Sequence, residues 1–383
     1  MNNPSGCNTW QNWRDEFPVT ETYIYMNHAG VAPLSRRVQE AMVGFMEDAT
    51  LHGAVHADLW AETAEVCRTR AAQLINADVT EIAFMKNTTQ GILIAANGID
   101  WQAGDNVVTT AVEFPANVYP WWSLKERYGV STRMVPERDG RIHVEDIAAM
   151  IDERTRVLTI SHVEFASGFR NDIKALGELC QARDIWFVVD AIQGLGVVEV
   201  DVKLCNIDIL AADGHKWLLA PEGAAIFYCA NERQEQLINT NIGWSSVVNP
   251  RDFLNYDLTQ QPNATRFEEG SYNSVGLYGL NAAIELLLDI SIPAIEERVL
   301  GLTARLIDGL QAKGYRVLTS KTDSERAGIV IFESDRYTPT EIYETLYNEN
   351  IITAERGSGV RISPHFYNTA SEIERLLEVL PAV

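Results

Sequence analysis

The sequence predicts an α/β protein whose central sheet is mostly parallel and covered by helices on both faces. Three observations carry this reading. From about residue 105 short apolar runs recur: "NVVTTAV", "VLTISHV", "WFVVDAI", "IDILAAD" and "GAAIFYC". They are rich in β-branched residues and nearly continuous in apolar character, the pattern of strands buried on both faces. A segment of helical spacing, "DIKALGELCQARD", separates two of them, as parallel crossovers require.

The elements follow in order. Residues 1–16 read as an arm. Helical spacing appears in "RRVQEAMVGFMEDA" and "LWAETAEVCRTRAAQLINA", ahead of the strand-rich stretch. Helical patterns return from about residue 275 to 313. Then come the strand "GIVIFES", the helix "TPTEIYETLYNEN", the strand "GVRIS" and a last helix. Thr369 and Glu372 form a capping box for that helix. The expected division is a large domain over 17–287, with 1–16 and 288–383 forming an arm and a smaller α+β domain. At 383 residues two domains are the default.

Composition narrows the function. The net charge is -22, from 53 acidic and 31 basic residues, which argues against nucleic acid and anionic membranes as partners. No run of about twenty apolar residues suggests a membrane span, and the first residues lack an apolar signal core. The five cysteines (Cys7, Cys67, Cys180, Cys205 and Cys229) are scattered and odd in number. They read as reduced thiols of a cytoplasmic protein, not as a disulfide frame, and no metal site is expected from them.

The chemistry centres on "ADGHKWLLAPEG", residues 212–223. In open α/β sheets ligands gather beyond the C-terminal strand ends. Asp190 closes "WFVVD", Gln193 follows, and His215 and Lys216 follow "IDILAAD". A partly desolvated lysine amine has a lowered pKa and attacks carbonyls. A buried aspartate needs a cationic partner, and the pyridinium nitrogen of pyridoxal 5'-phosphate is one. Thr88 and Thr89 open a helix that suits a phosphate. Phe114 offers a face for an aromatic ring. Each residue also has a plainer reading when taken alone. Lys216 could snorkel to the surface, Asp190 could cap a helix, Thr88 and Thr89 could be ordinary caps, and Phe114 could be a core ring.

Taken together, and in this order, the motifs resemble a family. From "YMNHAGVAPLS" to "VRISPHFYNT", with "VVDAIQG" followed by "GHKW", the chain resembles a fold-type I pyridoxal-phosphate enzyme of the class V aminotransferase group, which includes the cysteine desulfurases. The resemblance implies a seven-stranded-type sheet in the large domain and a role for each matching residue. Lys216 would carry the cofactor as a Schiff base. Asp190 would pair with the pyridine nitrogen, and Gln193 would bond the phenolic oxygen. Thr88, Thr89 and His215 would hold the phosphate. Phe114 would stack on the ring. Arg361 would bind the substrate carboxylate, and Asn27 and His28 would line the substrate end; His28 could equally be a satisfied loop histidine. Ser271, in "RFEEGSYN", would contact the cofactor phosphate of a partner subunit, making a homodimer with a shared active site the functional unit, or would cap a helix.

Three departures shape the expected function. Asp213 stands where many relatives carry a hydroxyl, so its part in phosphate binding is open. Phe165 stands where desulfurases tend to carry asparagine, implying a more apolar pocket. The stretch ahead of Arg361, "NIITAERGSGVR", is short and has no cysteine. A persulfide-forming desulfurase is therefore not expected, and an aminotransferase-type reaction on an α-amino acid is. A β-elimination C–S lyase, an isopenicillin-N-epimerase-like epimerase and a non-catalytic binding protein are the alternatives. The expected partner is a small-molecule amino-acid substrate.

Overall fold

The β-branched runs pair into one sheet. The structure, a computed structural model, describes residues 9–383. The sheet strands are β1 (Ile82–Met85), β2 (Asn106–Thr110), β3 (Ser131–Val135), β4 (Thr155–Ser161), β5 (Trp186–Asp190), β6 (Ile209–Asp213) and β7 (Ala225–Cys229). Their spatial order is β1-β7-β6-β5-β4-β2-β3. Pairing is parallel from β3 through β2, β4 and β5 to β6, and β7 runs antiparallel to both its neighbours. Every residue of β2, β5, β6 and β7 is buried, which is why these runs show no alternation. The register places Ser161 beside Asp190 and Asp190 beside Ala211, so three strand ends deliver their following loops to one edge.

Helices close both faces. On one, α1 (Arg36–His52) and α2 (Ala57–Leu74) pack against α5 (Ser274–Ile290); α3 (Thr88–Gly98) lies on β6, and α4 (Ile173–Gln181) lies against β5. After α5 the chain bends by 79° at Ser291 into α6 (Ile292–Ala312). Among the described residues no single helix is long and apolar enough to cross a membrane.

A second core gathers around a four-stranded antiparallel sheet. Its strands are β8 (Arg316–Val317), β9 (Val330–Glu333), β10 (Ala354–Arg356) and β11 (Gly359–Ile362), in the order β10-β11-β9-β8. It is backed by α6, α7 (Pro339–Asn348) and α8 (Ala370–Val379), with Leu306, Phe332, Leu346, Ile362 and Leu376 in contact. The capping box of Thr369 and Glu372 opens α8.

The division differs in detail from the one expected. Ile292, Ile295 and Val299 of α6 still belong to the main core, and the second core starts at Leu302. Residues 24–25 pair in parallel with 351–352, and Met26 is buried in the second core, although the sequence had placed them in the large domain. A short helix, Thr9–Arg14, docks on the same unit: Arg14 meets Glu372 at 2.8 Å and donates to the Tyr367 carbonyl.

Candidate active site

Beyond the ends of β4, β5 and β6 lies a cavity of about 440 Å³, a volume that suits a cofactor ring with a small substrate. Its walls come from the loops after these strands, the start of α3 and the β10–β11 hairpin.

At one end stand Asn87, Thr88, Thr89, Asp213 and His215. Asn87 caps α3 by accepting from Gln90 N at 2.9 Å. The cap is therefore Asn87 and not a threonine, which frees Thr88 and Thr89 to occupy the first turn. N–H groups there lack intrahelical partners and favour an anion. Thr88 Oγ1 accepts from Asp213 N at 3.0 Å, tying α3 to β6. Asp213 is turned inward: Oδ1 accepts from Gly214 N at 2.8 Å. Its Oδ2 lies 2.9 Å from His215 Nδ1, without the alignment of a hydrogen bond.

The lysine sits at the centre. A Cβ on Gly214 would stand 2.7 Å from Ala220 Cβ and 2.9 Å from Ala224 O, so only glycine permits the tight turn that aims Lys216 back at the strand ends. Lys216 is buried, and its Nζ lies 5.4 Å from the centre of the Phe114 ring. Burial pushes its pKa down to about 8; Asp190 opposes that fall, and Arg361 and Arg356 add to it. Asp190 accepts one hydrogen bond, from Ile192 N at 3.0 Å. Burial raises its pKa to about 6, with Ile192 and Lys216 pulling the other way. Gln193 is clamped, its Nε2 donating to Ala29 O at 3.0 Å and its Oε1 accepting from Trp217 Nε1 at 2.9 Å. Phe114 is 42% exposed and so is a wall of the cavity, not a core ring. It meets Phe165 edge to face at 5.2 Å.

At the other end is Arg361, 1% exposed on β11. Its Nη1 and Nη2 make long contacts of 3.4 Å to Phe165 O and Asn27 Oδ1, and its buried Nε has no partner. Burial, and to a lesser degree Arg356, lowers its pKa to about 9. A buried guanidinium with only neutral contacts is costly unless an anion arrives.

Three expected residues, Asn27, His28 and Ser271, do not line this cavity. Asn27 meets it only through its contact with Arg361. His28 is fully buried elsewhere: Nδ1 pairs with Ser363 O at 2.8 Å and Nε2 with Tyr367 OH at 2.6 Å. Its pKa falls to about 4 through burial, with the Ser363 carbonyl opposing. It is a satisfied loop histidine that anchors the segment bearing Asn27, and the substrate-lining role is corrected accordingly. Ser271 is exposed and borders a separate hollow with Met85, Lys86 and Gln90. Two other residues escaped the sequence reading. Arg356 lines the cavity from the end of β10; no periodicity marks it, and only its place five residues before Arg361 hinted at it. Glu113 lies buried behind Asp190, accepting from Ser161 N and Oγ at 2.7 and 2.6 Å, and burial raises its pKa to about 7.

These residues fit pyridoxal 5'-phosphate on the structure's own terms. Asp190 is a buried carboxylate in want of a cation, Arg361 a buried cation in want of a carboxylate, and a depressed lysine lies between an aromatic wall and a helix N-terminus.

Known proteins bear on the same cavity. A sequence model described as aminotransferase class-V matches residues 24–376. The chain is 30% identical to a probable cysteine desulfurase of Methanothermobacter thermautotrophicus, covering 97% of each. It is 30% identical to a cysteine desulfurase of Cronobacter sakazakii, covering 96% of each. An uncharacterized aminotransferase of Bacillus subtilis is 27% identical over 97% of each. The solved apo structure of a cysteine desulfurase from Thermococcus onnurineus superposes with a TM-score of 0.89 at 26% identity, covering 98% of both chains.

These likenesses overturn the functional expectation. The sequence reading put an aminotransferase-type reaction first and excluded persulfide-forming desulfuration because the stretch before Arg361 has no cysteine. Full-length relatives that bear the name desulfurase contradict that exclusion. Likeness that extends over 97% of the length outweighs the lack of a cysteine in one hairpin. With its parallel sheet, its lysine at the strand ends and the match over residues 24–376, the chain belongs to the class-V aminotransferase family of fold-type I enzymes, whose cofactor is pyridoxal 5'-phosphate.

Proposed function

We propose that the protein cleaves the carbon–sulfur bond of cysteine, with pyridoxal 5'-phosphate attached at Lys216. The choice of cysteine rests on the desulfurase names of relatives matched along their whole length. The observation that carries the amino-acid reading is Arg361, a buried guanidinium with no carboxylate of its own beside Lys216.

When bound, the cofactor supplies an electron sink for the substrate α-carbon. The chain does the rest. Thr88, Thr89 and His215 hold the phosphate at the α3 end, and Asp190 keeps a proton on the ring nitrogen. Gln193 offers its remaining amide proton to the ring's oxygen, and Phe114 covers the ring face. Arg361 grips the substrate carboxylate through two N–H groups. Lys216, with its amine poised near neutrality, holds and moves the α-proton. Phe114 and Phe165 keep water from the reacting carbon. The sulfur leaves to a thiol: the thiolate attacks the substrate sulfur, a sulfur–sulfur bond forms as the carbon–sulfur bond breaks, and the β-carbon takes a proton. Cysteine and a thiol thus give alanine and a persulfide. Cys67, Cys180, Cys205 and Cys229 are buried and none borders the cavity. The acceptor is then Cys7, which lies outside the described residues, or a thiol of a second molecule.

The protein is also proposed to work as a homodimer, since Ser271 is exposed and lies off its own chain's cavity, free to serve a partner's phosphate. Reduced cysteines suit a cytoplasmic setting.

The test is product analysis. The cofactor-loaded protein, given cysteine and dithiothreitol, should release alanine and sulfide in equal amounts, and Arg361→Ala should weaken substrate affinity by at least tenfold, the loss of a buried charge-assisted contact. Pyruvate and ammonia in place of alanine would overturn the proposal.

A further inference from the structure

Away from the cavity, Asp48, His52 and His56 converge at the end of α1. Asp48 and His52 are four residues apart and share a helix face. Gly53, at a φ of 58°, ends α1 and turns the chain, and His56 at the start of α2 comes back to the same point. His52 Nδ1 lies 3.0 Å and His56 Nδ1 2.6 Å from the same oxygen, Asp48 Oδ1. The three ligand atoms all fall within 4.8 Å of one another. The other carboxylate oxygen accepts from Trp60 Nε1 at 2.8 Å, and the Trp60 ring is held edge-on against Phe45 at 5.0 Å.

We propose that Asp48, His52 and His56 form a binding site for a divalent transition metal of the zinc class. The sequence raised no such expectation, because only the cysteines had been weighed as ligands. With no ion, both imidazoles must carry their proton on Nδ1 to face one shared oxygen. A cation between them accepts both Nδ1 lone pairs and the carboxylate together. Zinc takes nitrogen and oxygen donors at about 2.0–2.2 Å in a tetrahedron. That geometry sets donors about 3.4 Å apart, so the His52 and His56 nitrogens, now 3.0 and 2.6 Å from Asp48 Oδ1, would move outward by about 0.4 and 0.8 Å to admit the ion. The Asp48, His52 and His56 side chains are 25%, 48% and 39% exposed, so a water can take the fourth position. Asp48 has no Lys or Arg partner among the described residues; the imidazoles are its only ion-pair partners. Trp60 has the place of an outer partner that orients the carboxylate ligand. An ion there would clip the end of α1 to the start of α2, the two helices that pack on α5. This site does not depend on the reading of the cavity as a desulfurase.

Calorimetric titration of the cofactor-loaded, chelator-treated full chain with zinc chloride tests it, with metal counted per chain after desalting. One ion per chain is expected in the wild type. The double variant His52→Ala/His56→Ala should lose that binding while keeping the visible cofactor band, which reports the fold. Trp60→Phe should weaken binding by about 10-fold or more, the effect of removing an outer partner. Zinc should raise the thermal unfolding midpoint of the wild type and not that of the double variant. No binding by the wild type, or equal binding by the double variant, overturns the proposal.

Discussion

Lys216 is pulled two ways: burial and the nearby Arg361 and Arg356 favour the neutral amine, and Asp190 and Asp213 favour the ammonium. Burial wins, and the pKa comes to about 8. The direction fixes a pH dependence. Because the value is depressed from 10.5, the nucleophilic amine is scarce below about pH 8 and abundant above it, whereas an ordinary lysine stays charged to about pH 10. The rate at which the apoprotein captures pyridoxal 5'-phosphate, followed by the visible band, should therefore climb about tenfold per pH unit up to pH 8 and then level off. A rate still rising at pH 10 would place the attaching amine on an exposed lysine instead. At this scale the sequence was legible where residue type and strand end coincide, as at Asp190, Gln193 and Lys216. It was not legible at His28. A histidine in a loop looks the same whether its nitrogens face a ligand or, as here, a carbonyl and a tyrosine hydroxyl.

Among the elements, α3 links fold to site most directly. Asn87 caps it, Thr88 ties it to β6, and its first turn faces the anion end of the cavity. Asn87→Ala removes the cap, which should cost about 1 kcal/mol of stability in urea unfolding of the apoprotein. It should also loosen the cofactor, because the frayed turn presents its N–H groups less well; inorganic phosphate should weaken the wild type's hold on the cofactor by competition and add less to the loss in the variant. Unchanged cofactor affinity in Asn87→Ala would remove the helix N-terminus from phosphate binding. The strands show what a sequence reveals about elements. β2, β4, β5, β6 and β7 announced themselves as β-branched runs, whereas β1, "IAFM", is just as buried but short and has one β-branched residue, and it was not expected. The edge strand β3, "STRMV", has one exposed, three half-buried and one buried residue, so it carries neither a continuous apolar run nor clean alternation, and it was not expected. β10 and β11 form a hairpin closed at Arg356 and Gly359, and only its second strand was apolar enough to be read. That is also why Arg356, on the polar strand of the pair, was missed.

At the scale of the whole molecule, the cavity is built by one chain, but Ser271 is not at it. It is exposed beside Met85 and Lys86 and is not among the residues that line the Lys216 cavity. The large apolar side chains Trp244, Phe253, Leu254 and Tyr256 are exposed on the segment just before it, the kind of side chain an interface covers. Both facts agree with a second copy covering this face and receiving Ser271 at its own phosphate end. The homodimer proposal then makes a quantitative prediction. Lys216→Ala should be inactive because its cavity has no amine. Ser271→Asp should be nearly so, because a carboxylate set against the partner's phosphate repels it. In a mixed dimer of the two, one cavity holds both defects and the other holds neither. After subunit exchange, equal amounts of the two inactive variants should therefore regain about a quarter of wild-type activity, since half the dimers are mixed and half their cavities are intact. Activity that stays at the level of the separate variants, or a Ser271→Asp protein as active as the wild type, would show that each chain works with its own cavity alone.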